Sequence, residues 1–264
     1  MPHHRRMALD GLGTWLIGRL TAMSPADPYR PPSPAERDLG AVGLRALLCG
    51  EPAPALAGLG FAVRTGVDRR PYTLVAGESG TERTWGAVVL DGSGPPRRVI
   101  AVPHPVADRL TAWLGLLLFR AAPGSALLLA GTHRRASDGA ADVAHRTDSM
   151  FHAFAGVLAE HAPIEVQPHG YAAATLPAYD VVVSPGAAAL TDAHPALRDA
   201  LLAKGFRVRP EWTGLLDGAT NVQSAAAAER GSAFLHLELA PAPRTDPTAR
   251  AAVVAAVAHT WLAR

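Results

Sequence analysis

The sequence has a single cysteine, Cys49, which excludes an internal disulfide and any cysteine-rich zinc or iron–sulfur site. Cys49 lies among Ala and Leu on a helix-like stretch with no histidine nearby. It therefore reads as a small core residue and a poor candidate nucleophile. No apolar run approaches the ~20 residues of a membrane span. The start, "MPHHRRMALDGLGTWLIGRLTAM", is basic, but Asp10 and Arg19 interrupt its apolar part. An amphipathic helix fits better than a secretory signal, which points to a cytoplasmic protein. Charge is sparse too: 18% of the 264 residues are charged and the formal net charge is +2. The basic residues are almost all arginine and scattered, and no basic run interleaves with aromatics, so nucleic acid is not an expected partner.

Several catalytic signatures are missing. There is no G-x-S-x-G elbow, no G-x-x-x-x-G-K-[ST] phosphate loop and no complete G-x-G-x-x-G, since "GLGTWL" lacks the third glycine and follows no strand. Serine hydrolase, nucleotidase and dinucleotide-dependent chemistries lose ground accordingly.

What is present is a regular α/β pattern. Residues 1–40 read as an N-terminal helix and a Pro-rich extension, with "SPADPYRPPSPAERD" (24–38) as a linker or surface wrap. Residues 41–264 read as one domain. Strands are expected at "FAVRT", "YTLVAG", "WGAVVLD", "RVIAVP", "ALLLAG", "IEVQP", "DVVVSPG", "FRVRP" and "AFLHLEL", and helices over 106–120, 144–161, 193–204 and 247–262. A meander followed by strand–helix alternation predicts a three-layer α/β/α sandwich around a mixed, largely parallel sheet.

Ligands in such sheets bind beyond the carboxyl ends of strands, and polar residues gather there. "AVPHPVAD" places His104 and Asp108 after one strand, "VQPHGY" places His169 after another, and "FLHLEL" carries Glu238. In that last strand Leu235, Leu237 and Leu239 alternate with Phe234, His236 and Glu238, so the leucines form the core face and His/Glu the face available to a site. A mononuclear zinc hydrolase suits this set. Catalytic zinc wants about three N/O ligands and an open position, with a nearby carboxylate moving the proton. His104, Asp108 and His169 are the candidate ligands and Glu238 the candidate base. Ligand atoms ~3–4 Å apart would suit tetrahedral zinc. A rival set, His133, Asp142 and His145 with His104, lies in "GTHRRASDGAADVAH". His133 and His145 could alternatively orient ligands or meet substrate, and Asn221 and Gln223 could meet substrate polar groups or serve a turn.

The order of these motifs resembles the zinc carboxypeptidase clan, in particular its poly-γ-glutamate hydrolase-like branch and, more loosely, the N-formylglutamate amidohydrolases. The likeness runs from Ala101 to Arg264. It includes the His-then-acid pair of "VPHPVAD", the His-Gly pair of "VQPHGY", the Glu strand "FLHLEL" with Arg in "APAPR", and "DVAHRTDSMFHAFAGVL". One departure is Asp108, where the family usually has Glu; the shorter side chain requires a tighter turn. The resemblance implies a phosphorylase/hydrolase-like fold of zinc carboxypeptidase type and a Zn2+-dependent amide hydrolase. In it His104, Asp108 and His169 would hold zinc, and Glu238 would act as general base. A substrate carboxylate, on a small molecule or peptide, would be held by Arg134, Arg135 or Arg244, with Arg146 in reserve. The alternative is the same fold with a degraded site, serving as a binding or interaction domain.

Overall fold

Residues 11–263 are described by the computed structural model. The basic start of the N-terminal segment (1–10) and Arg264 lie outside the described residues. The strands are β1 (Ala62–Asp68), β2 (Arg70–Ala76), β3 (Ala87–Asp91), β4 (Arg98–Val102), β5 (Ser125–Leu129), β6 (Ile164–Gly170), β7 (Val181–Ser184) and β8 (Ala233–Leu239). The helices are α1 (Gly11–Thr21), α2 (Pro34–Leu48), α3 (Pro54–Gly58), α4 (Thr111–Ala121), the single turn α5 (Ala136–Gly139), α6 (Met150–Ala159), α7 (Ala193–Leu202), α8 (Val222–Arg230), α9 (Pro241–Thr245) and α10 (Pro247–Val257).

The strands form one mixed sheet in the order β1-β2-β3-β5-β4-β6-β8-β7. Its parallel part is the central block β5-β4-β6-β8, whereas β1, β2, β3 and β7 pair antiparallel. The central runs "RVIAV" and "SALLL" are buried throughout, as expected of strands covered on both faces. Period-two alternation divides them between two cores. Ile100, Val102, Leu127 and Leu129 pack with residues of α1, α4, α7 and α10. Val99, Ala101, Ala126 and Leu128 pack with residues of α2, α3 and α6. The result is the three-layer sandwich.

Local chemistry moves several expected boundaries. The helix expected from 106 begins at Thr111, because 103–110 form a compact turn ending at Leu110 in a left-handed conformation (φ 70°). The helix expected over 144–161 starts at Met150, where the Ser149 side chain accepts from His152 N. "FRVRP" makes only an isolated bridge through Val208, since the Arg207 amide is bonded to the Asp180 carboxylate. The Pro-rich wrap ends sooner than 38: Ser33 and Glu36 form a capping box with Pro34 in the first turn of α2. Cys49 follows α2 and is exposed, so it is not a core residue. No helix among the described residues is long and apolar enough to cross a membrane.

Candidate metal centre

The carboxyl ends of β4, β6 and β8 converge on a cleft of about 610 Å³ lined by His104, Asp108, His169, His236 and Glu238. The turn after β4 is tight enough for an aspartate. Asp108 N donates to His104 O at 3.1 Å, and Thr111 Oγ1 donates to Asp108 O at 2.7 Å. This folds the Asp108 side chain back onto His104. His169 arrives from β6, whose parallel register sets it beside Glu238 of β8 and sets Gln167 beside His236.

Two imidazoles and one carboxylate meet. Asp108 Oδ2 lies 3.2 Å from His104 Nδ1 and 3.3 Å from His169 Nδ1. Zinc bound at ~2.0–2.1 Å by tetrahedral N/O ligands separates those ligands by about 3.3 Å, so the donor set fits the ion in chemistry and Asp108 Oδ2 stands at ligand spacing from both nitrogens, all three atoms lying within 4.8 Å of one another. The outer nitrogens are held as well. His104 Nε2 lies 2.8 Å from Asp142 Oδ1, and Asp142 in turn accepts from Arg134 Nε at 3.1 Å. His169 Nε2 lies 3.2 Å from Gln167 Oε1. Gln167 is fixed by Asn221 Nδ2 at 2.8 Å and by Glu165 Oε1 at 2.7 Å. With a cation in place, partners of this kind would take the outer N–H and leave the inner nitrogen to the ion.

The electrostatics follow from burial and pairing. Burial alone would raise the Asp108 pKa, but hydrogen bonds from His104 and His169 outweigh it and hold the carboxylate ionised. Burial alone would lower His104, yet Asp108 and Asp142 together raise it. Burial lowers His169 and keeps it neutral despite Asp108. Glu238 is 8% exposed, with Oε2 lacking any hydrogen-bond partner. Burial, reinforced by the Asp108 charge, pushes it up to about 8.

The expected arginines part company. Arg244 is buried and donates to the carbonyls of Leu239, Ala240, Arg109 and Tyr171. Each nitrogen of its fork is bonded to the backbone, and Arg244 is not among the residues that line the cleft. Arg134 lines the cleft, pairs with Asp142, and has Nη1 3.4 Å from His104 Nδ1. Arg146 pairs with Asp148 and does not line the cleft. Arg135 lines the cleft mouth and is exposed. The rival metal set is not assembled: among the described residues, the groups spaced to hold a metal are His104–Asp108–His169 and His169–His236–Glu238. His133 Nδ1 instead accepts from Arg135 N at 3.1 Å. His145 lines the cleft, with Nδ1 3.2 Å from Thr220 O. Asn221 caps α8, and Gln223 donates to Val143 O.

Neither Gln167 nor Glu165 is among the candidate site residues read from the sequence, and strand alternation alone gives His236 no more than a place on the face beside Glu238. Period two offered a signal: Glu165, Gln167 and His169 share one face of β6, a run of polar residues on an otherwise apolar strand.

No protein-family model matches the chain, and no curated protein is significantly similar in sequence. Solved structures similar to it include a bacteriophage poly-γ-glutamate hydrolase, at 14% identity over 66% of this chain and 86% of that one, with a TM-score of 0.49. A metallo-carboxypeptidase from Burkholderia cenocepacia is 15% identical over 81% of this chain and 67% of its own, with a TM-score of 0.42. An aspartoacylase family protein from Mesorhizobium loti is 10% identical over 76% and 71%, with a TM-score of 0.39.

Proposed function

We propose that the protein is a zinc-dependent hydrolase of amide bonds whose substrate carries a carboxylate. The observation that carries this reading is the convergence of His104 Nδ1 and His169 Nδ1 on Asp108 Oδ2, at 3.2 and 3.3 Å, beside an unpartnered buried carboxylate, Glu238. His104, Asp108 and His169 would hold the ion. Bound there, zinc supplies a Lewis acid that polarises a carbonyl and acidifies water.

The chain's own groups do the rest. Glu238 takes a proton from the attacking water and passes it to the leaving nitrogen. Its desolvated setting favours this double role, because a carboxyl titrating near neutrality can both accept and release a proton. With an ion held beside it, Glu238 would titrate below the value of about 8 set by burial and the Asp108 charge. Asp142 and Gln167 keep the two imidazoles aimed. Arg135, at the cleft mouth, binds the substrate carboxylate.

The test is metal content together with hydrolysis. Protein washed free of loose ions should retain near-stoichiometric zinc and cleave members of a panel of N-acyl-amino acids, γ-glutamyl amides and peptides. Zinc-free protein that still hydrolyses them, or zinc-loaded protein inert to the whole panel, overturns the reading. The second outcome leaves a non-catalytic binding domain.

A further inference from the structure

A third buried imidazole lies in the cleft and has no part in the hydrolytic scheme. His236 stacks on His169 with ring centroids 4.3 Å apart and planes 29° from parallel. It is 4% exposed. Its Nδ1 has no hydrogen-bond partner, nor has Oε2 of Glu238 two residues along the same strand face. Buried polar atoms left unmatched cost about 1–3 kcal/mol each, so two of them on one strand face call for an occupant. Room for the ring is made by Gly218, where a Cβ would lie 2.4 Å from His236 Cδ2. One ligand atom each from His169, His236 and Glu238 lie within 4.8 Å of one another.

We propose that His236 and Glu238, against His169, form a second divalent-cation position in the same cleft. Nδ1 of His169 faces Asp108, so the second ion's own ligands are His236 Nδ1 and Glu238 Oε2, completed by water. A nitrogen–oxygen pair of this kind suits zinc or cobalt better than calcium or magnesium. Two protein ligands, with repulsion from an ion already bound nearby, make this the weaker of the two positions. That ordering rests on the reading of His104, Asp108 and His169 as the zinc ligands; the position itself does not.

The experiment is a calorimetric titration of chelator-stripped full-length protein with Zn2+, repeated with Co2+ and followed by visible absorption. The wild type should bind two equivalents, the second at least ~10-fold more weakly. His236→Ala should remove the weaker equivalent and leave the tighter one, and Glu238→Gln should do the same. The second variant keeps the test decisive if the first fails to fold. A single equivalent in the wild type at saturating zinc, or a second equivalent that survives either substitution in a folded protein, overturns the proposal. His104→Ala should remove the tight equivalent instead. If no tight equivalent exists, the hydrolase reading fails, while the second position is still decided by its dependence on His236.

Discussion

His104 Nε2 lies 2.8 Å from Asp142 Oδ1, although the two residues approach the cleft from different strand-end loops. Asp142 thereby fixes the ring's orientation, and Arg134 Nε at 3.1 Å fixes Asp142. Removing such a partner typically lowers metal affinity ~10–100-fold without removing a ligand. Asp142→Ala should therefore weaken zinc binding by about that factor, measured by competition with a chelator. Unchanged affinity would show that the imidazole is held by other contacts.

In the proposed mechanism Glu238 acts through its proton and not through its shape. Glu238→Gln conserves volume and leaves His104, Asp108 and His169 untouched. Tightly bound zinc should remain at one equivalent while kcat falls by ~10²–10⁴-fold, the range of general acid–base catalysis. Turnover at the wild-type rate would remove Glu238 from the mechanism.

The sequence exposed the parts of this site that obey strand periodicity and hid those that depend on contacts between loops. His104, His169 and Glu238 stand at or near strand ends, where the position of polar residues in apolar runs is visible by inspection. Leu235, Leu237 and Leu239 are buried in the core, as alternation with His236 and Glu238 indicates. The helix expected from 106 begins instead at Thr111. The backbone bond between Asp108 and His104 and the left-handed Leu110 have no signature in hydrophobic spacing. Arg244 was equally opaque. Its sequence position suits a substrate ligand, and only the packing shows its donors directed at carbonyls.

Glu165 makes stability depend on pH. Burial raises its pKa from 4.5 to about 7, against a hydrogen bond from Gln167 that lowers it. Below pH ~4.5 the group is protonated in both folded and unfolded chains and contributes no difference. Between ~4.5 and ~7 the unfolded chain releases the proton and the folded one retains it, so stability falls with rising pH, by about 3 kcal/mol in all. Glu165→Gln, which can still accept from Gln167, should be nearly neutral at pH 4.5 and stabilising at pH 8. Urea unfolding at the two pH values checks this. Equal effects at both would show that the carboxyl is not titrating differently in the folded state.

Arg244 and Arg135 should respond to substitution in opposite ways. Arg244 ties together the three segments that present the site. It bonds Arg109 O, in the turn beside Asp108, at 2.6 Å, Tyr171 O, after His169, at 2.9 Å, and Leu239 O, after Glu238, at 3.1 Å. A Cβ on Gly170 would sit 2.5 Å from its Cζ, so the guanidinium lies flat against bare backbone. Arg244→Met leaves those buried carbonyls unmatched and should cost several kcal/mol of stability, read as a fall in the urea midpoint and weaker zinc retention. Arg135 is exposed at the cleft mouth. Arg135→Ala should leave stability within about 0.5 kcal/mol and raise KM ~10-fold or more for a carboxylate-bearing substrate, with kcat nearly unchanged. If Arg135→Ala leaves KM unaltered and Arg244→Met raises KM in a protein of normal stability, the two assignments must be exchanged.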